Sequence, residues 1–145
     1  MTSPLAGKTA LVTGGARRIG KAIVLALAGS GVHVAIHYNT SEAEAAETVA
    51  AAKRFGVRAW KIEADLSSTA NALSLMERTL ELSGRLDFLV NSASVFPSSG
   101  LETMNAESVE RIMTINAFRL PIMRSLHLSG CCLAIDTLIM PKQQN

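Results

Sequence analysis

The 145 residues are 48% apolar and 18% charged, enough for one buried core and too apolar for a disordered polypeptide. Fourteen basic and twelve acidic side chains leave a formal net charge of +2. That balance argues against a nucleic-acid binder or a protein drawn to an anionic membrane. No run approaches the ~18 apolar residues of a membrane span. The opening MTSPLAGK lacks the apolar core of a secretory leader, so a cytoplasmic location is expected. Cys131 and Cys132 are adjacent, and two such cysteines indicate neither a disulfide framework nor a metal site.

In chain order, KTALVT (8–13) is short, apolar and ended by glycines, which predicts a buried strand. Ile19, Ala22, Ile23, Ala26 and Leu27 follow with the spacing of a helix face. VHVAIHY (32–38) predicts a second strand. Ser41 with Glu44 has the spacing of a capping box opening an alanine-rich helix to about Phe55. VRAWKIEA (57–64) predicts a third strand. Residues 67–83 predict a helix with Leu73, Met76 and Leu80 on one face, and LDFLVN (86–91) a fourth strand. Asn105 is suited to cap a helix from 106 to about 120, with Glu107 favourable in its first turn. CCLAI (131–135) can form a fifth strand.

This alternation predicts an α/β fold, a Rossmann-like doubly wound parallel sheet of order 3-2-1-4 covered on both faces. Ligands of such sheets bind beyond the strand C-termini where the winding reverses, between strands 1 and 4. The segments there are TGGARRIG (13–20) and NSAS (91–94), both small and polar. The first helix follows Gly14-Gly15-Ala16 with no side chain suited to cap it. Its free amides and dipole suit a pyrophosphate, although a tight turn without a ligand has the same sequence. After strand 2, NAD sites place an acid for the ribose 2′-hydroxyl, about twenty residues beyond the turn. Here the turn reads HYNTSE (37–42), and its first acid is Glu42. A neutral turn formed by His37, Tyr38, Asn39, Thr40 and Ser41, with Arg17 near, suits the 2′-phosphate of NADP(H) better than NAD(H). A polar turn that merely precedes a helix remains the alternative.

Together these motifs resemble the short-chain dehydrogenase/reductase family over residues 8–124. The family's Thr-Gly-x-x-x-Gly-x-Gly is matched at Thr13, Gly14 and Gly20, with Arg18 in place of the middle glycine. Its aspartate after strand 3 is matched by Asp65 in ADL. Its Asn-Asn-Ala-Gly is partly matched by NSAS, and its helix asparagine by Asn116. The resemblance implies a cofactor site made by Gly14, Arg17, Arg18, Ile19 and Gly20, with Asp65 and Leu66 at the adenine. It adds Asn91, Ser92 and Ala93 beyond strand 4. Asn116 would organise a proton-relay water in catalysis, or simply be a satisfied core asparagine. Arg18, His37-Tyr38 and NSASVF further resemble the pteridine reductases. That branch implies Arg18 on phosphates and pterin, Ser94 near the pterin and Phe96 stacked on its ring. Asn39 and Thr40 stand where it often carries His and Arg, which implies a weaker phosphate clamp.

The family's acid is a tyrosine followed four residues later by a lysine. The one tyrosine here is Tyr38, with Glu42 at that spacing, so Tyr-x-x-x-Lys is absent. Residues 125–145 depart from the family as an atypical tail, which implies a truncated or frame-shifted product or a gene-model fragment, with a deliberately short protein as the alternative, and an incomplete, marginally stable sheet. The function expected is NADPH-dependent reduction of a small carbonyl or pterin substrate by descent, inactive as this chain. Its alternatives are a non-catalytic NADP(H)-binding module or an inert remnant. A homo-oligomer is compatible with the family, though with an incomplete interface.

Overall fold

The computed structural model describes residues 3–95, 104–118 and 133–136. Its elements are β1 (Thr9–Thr13), α1 (Arg18–Gly29), β2 (His33–Tyr38), α2 (Glu42–Lys53), β3 (Ala59–Glu63), α3 (Thr69–Ser83), β4 (Phe88–Asn91), α4 (Ala106–Met113), a π-helical turn (Thr114–Phe118) and β5 (Leu133–Asp136). The strands form one parallel sheet of order β3-β2-β1-β4-β5. The reversal between β1 and β4 is therefore present, with Thr13 in register with Asn91. The fifth strand joins beside β4, pairing Phe88 with Leu133 and Asn91 with Asp136. Consequently β4 is an interior strand.

Strand alternation divides the core into two layers. Leu11, Ala35, Ile62 and Leu89 face one way and pack with Ala72, Leu75 and Met76 of α3. Val12, Val34, Ile36 and Val90 face the other way and pack with Val24 and Ala28 of α1 and Ala52 of α2. Leu11, Ile36, Ile62, Leu75 and Leu89 are fully buried, and each such side chain contributes about 2 kcal/mol of apolar transfer.

Two helices present a different face from the one their leucine and isoleucine spacing predicts. In α1 the buried residues are Gly20, Val24 and Ala28, flanked by the partly buried Ile23 and Leu27, while Ile19 is 47% exposed. In α3 the buried residues are Ala72, Leu75, Met76, Thr79 and Ser83, and Leu80 is exposed. In α1 the buried positions are small or β-branched, whereas in α3 Leu75 and Met76 are buried alongside Ala72, Thr79 and Ser83. The Thr79 and Ser83 hydroxyls tolerate burial by donating to the carbonyls of Leu75 and Thr79, both at 2.7 Å.

The caps follow from backbone geometry. Ser68 and Asn105 are extended, and their side chains accept from the amides of Asn71 and Ser108. Ser41 has ψ near 58° and its hydroxyl makes no capping bond, so the expected capping box with Glu44 does not form. Glu42 and Glu44 still lie in the first turn of α2, where the dipole favours them. The helix after Asn105 is α-helical only to Met113 and continues as the π-helical turn containing Asn116.

Candidate nucleotide site at the sheet reversal

The turn between β1 and α1 is held from three sides. On the β4 side, the Thr13 hydroxyl oxygen accepts the amides of Ser92 and Ala93, each at 3.1 Å. On the β2 side, Gly14 donates its amide to His37 Nδ1 at 3.0 Å, and Gly15 donates to the His37 carbonyl at 3.0 Å. On the α2 side, Thr48 Oγ1 lies 2.9 Å from the Ala16 carbonyl and 2.8 Å from that of Glu44, so its one proton serves one at a time. Thr48 is missed by sequence reasoning. The signal for it is slight: one threonine, fully buried, in an alanine-rich helix.

Two glycines of this turn are required by protein contacts rather than by open space for a ligand. Gly14 has φ 63°, and a Cβ there would lie 2.8 Å from Ala93 Cα. A Cβ on Gly20 would lie 2.0 Å from the Gly14 carbonyl oxygen, so Gly20 lets the helix close on the turn itself, not on the sheet. Arg18 adopts the left-handed region at φ 52°, the one non-glycine residue among those described to do so. A β-carbon makes that conformation cost about 1 kcal/mol. This accounts for the family's glycine there and makes an arginine a choice with a cost.

Arg17 precedes α1 in extended conformation and supplies no side-chain cap, and the first turn carries no acid. The amides that open α1 therefore meet no side-chain oxygen, and Arg17 and Arg18 are both exposed beside them. An anion placed there would complete the helix start.

At the end of β2, Tyr38 is buried against Ala16 and Ala45, while Asn39 and Thr40 are exposed. His37 is 3% exposed, and its other ring nitrogen lies 2.9 Å from the Ala64 carbonyl. Both ring nitrogens are thus engaged by backbone, which ties His37 to the turn. Glu42 is drawn away to Lys61, 2.6 Å from its ammonium, and that ammonium also stands 5.9 Å from the Tyr38 ring centroid. The exposed Asp65 accepts the Ser67 amide at 2.9 Å. The Ser67 amide and hydroxyl, with the positive charge of Arg111, hold its carboxyl below the usual range, so it is an anionic acceptor at neutral pH. Leu66 is buried beneath it.

Beyond β4, Asn91 and Ser92 are buried, Ala93 is partly buried and Ser94 is exposed. Asn116 reaches across to this segment. Its Oδ1 accepts the Val95 amide at 2.9 Å and its Nδ2 donates to the Val95 carbonyl at 3.1 Å. The expected role of Phe96 falls outside the described residues, as does all of the 125–145 tail except 133–136.

The family model for short chain dehydrogenases matches residues 8–126. The chain belongs to the short chain dehydrogenase family. It is 39% identical over 114 residues to an oxidoreductase of Methylorubrum extorquens, covering 79% of this chain and 46% of that protein. It is 33% identical over 110 residues to the L-rhamnose 1-dehydrogenase (NADP(+)) of Thermoplasma acidophilum, covering 76% and 43%. Among solved structures it resembles a Burkholderia cenocepacia short chain dehydrogenase in complex with NADP. The TM-score is 0.82 at 34% identity over 88% of this chain and 52% of that one. A blue fluorescent protein from a metagenomic library, in complex with NADPH, is similar at TM-score 0.80, 33% identity, 88% and 52%. The chain thus spans about half the length of the relatives it matches. Among its described residues, no helix is long and apolar enough to cross a membrane, and no cluster of His, Cys, Asp and Glu could hold a metal ion.

Proposed function

We propose that these residues form the nucleotide-binding part of an NADP(H)-dependent oxidoreductase acting on a small carbonyl or imine compound. The observation that carries this reading is the uncapped start of α1, flanked by two exposed arginines and set on a turn held rigid from three sides. Gly14, Arg17, Arg18, Ile19 and Gly20 would receive the phosphates, and Asp65 with Leu66 the adenine. Asn91, Ser92 and Ala93 would line the way to the nicotinamide. NADPH, when bound, supplies the hydride; the protein orients it.

The preference for the 2′-phosphate rests on Glu42. It is the first acid after β2, and Lys61 holds it, which leaves Asn39, Thr40 and Ser41 as the neutral lining. The arginine at position 18 favours a pterin among the carbonyl and imine substrates, because Arg18 and Ser94 are both exposed at the same reversal of the sheet. A planar guanidinium suits both phosphate and a flat heterocycle. The 145 residues contain no Tyr-x-x-x-Lys, which favours binding without turnover for this chain alone.

Fluorescence titration of the 145-residue chain tests the reading. NADPH should bind about tenfold or more tighter than NADH, a difference of about 1.4 kcal/mol. A dihydropterin should perturb bound NADPH fluorescence without consuming it. Equal affinity for the two nucleotides would remove the 2′-phosphate assignment, and no binding of either would remove the whole reading.

A further inference from the structure

His37 sits behind the glycine turn with a hydrogen-bonding pattern that admits one state of the ring. Gly14 N–H can only donate, so Nδ1 must carry a free lone pair. The Ala64 carbonyl can only accept, so Nε2 must carry the proton. The ring is therefore the neutral Nε2–H tautomer. A second proton would go to Nδ1 and place an N–H against the Gly14 N–H, with two donors facing at a separation that now holds a bond. The side chain is 3% exposed, so water cannot readily relieve the conflict in place. The ring or the turn must move. The turn would move at Gly14, whose amide, with that of Gly15, attaches it to β2.

We propose that neutral His37 is the positioning residue of the phosphate turn, and that its protonation releases the Gly14 end of that turn and weakens nucleotide binding. The second half rests on the nucleotide-binding reading above; the first half stands on the hydrogen bonds alone. Of the ionisable groups on the elements around the ring, Arg17 and Arg18 in the turn, Lys61 and Glu63 on β3 and Asp65 beyond it, it is the Asp65 carboxylate whose charge acts on the imidazole. That charge favours protonation, as does the bond to Ala64, and burial outweighs both, holding the ring below the ordinary histidine range. The switch consequently operates on the acid side of about pH 6.5.

The test uses the 145-residue chain and its His37→Gln variant, because a glutamine amide can both accept and donate but does not titrate. In the free protein, 15N–1H spectra follow the Gly14 amide and the His37 ring from about pH 8 downward until the ring has titrated, within the range where far-UV circular dichroism is unchanged. NADPH affinity is measured over the same range. The Gly14 resonance should move in step with the His37 ring signals in the wild type and stay flat in the variant. The ratio of wild-type to H37Q affinity should fall in step with protonation of the His37 ring. The ratio cancels the titration of the nucleotide's own phosphate. A Gly14 resonance that ignores His37, or a constant affinity ratio, would overturn the proposal. Absent NADPH binding at pH 8 with a titrating Gly14 amide would instead sink the nucleotide reading and leave the positioning link standing.

Discussion

The side-chain amide of Asn116 clasps both backbone polar groups of Val95, 2.9 Å from its nitrogen and 3.1 Å from its oxygen. One residue of a π-helical turn thereby fixes the segment leaving β4, on the far side of the sheet reversal from the glycine turn. Asn116 is thus a satisfied asparagine and a strut of the candidate site together. Replacing it with aspartate keeps an acceptor for the Val95 amide but sets a carboxylate oxygen against the Val95 carbonyl. Asn116→Asp should cost about 1–3 kcal/mol in urea unfolding. Asn116→Ala, which leaves both Val95 groups unpaired but adds no repulsion, should cost less.

The contact between Gly20 and the Gly14 carbonyl has no spare room. Gly20→Ala should cost several kcal/mol, because the added Cβ would overlap the Gly14 carbonyl, which is backbone and cannot rotate away. Gly84 caps α3 with open space around it, and Gly84→Ala should cost only about 1 kcal/mol. Thermal melts of the two variants side by side check the contrast. Equal losses would mean that the turn relaxes.

Arg18 predicts opposite effects on stability and binding. Arg18→Gly relieves a left-handed β-carbon and should raise stability by up to about 1 kcal/mol. If the guanidinium meets phosphate, the same variant should bind NADPH more weakly and with a shallower salt dependence. Denaturation and titration of one preparation read both. Unchanged affinity would reduce Arg18 to a tolerated strain.

At the opposite end of β1 and β4, Asp87 receives the Thr9 amide at 2.9 Å, two guanidinium nitrogens of Arg85, and Lys8 at 3.4 Å. Burial would raise its carboxyl, but Arg85, the Thr9 amide and Lys8 together lower it. A lowered carboxylate contributes stability that is complete above the ordinary aspartate range and is lost as pH falls through the folded value. Asp87→Ala should cost about 1–3 kcal/mol at neutral pH and should flatten the acid limb of the stability curve. Nucleotide affinity, measured well below the melt, should not change. Unfolding curves at several pH values, with one titration, check all three outcomes.

Much of the fold is legible in the sequence. The strand runs KTALVT, VHVAIHY and LDFLVN, the cap at Asn105, and the order of the first four strands all follow from short-range pattern. Of the candidate site, the location at TGGARRIG and the missing cap before α1 were equally visible. Two positions depart from the faces that the spacing predicts. Ile19 and Leu80 lie on the predicted faces yet are exposed, because each helix is turned so that Gly20, Val24 and Ala28 in α1 and Ala72, Leu75 and Met76 in α3 meet the core.

What the sequence by itself determined is periodicity, and periodicity is set by neighbours within a few residues. The rest is decided between residues far apart in the chain. Gly14 meets His37 across 23 positions, Thr48 meets Ala16 across 32, and Thr13 meets Ser92 across 79. No local rule says that the histidine of HY turns inward to hold a glycine, or that a threonine in an alanine-rich helix anchors a turn. Those choices exist only once the sheet has closed, because a buried polar group takes whatever partner the packed fold brings within reach.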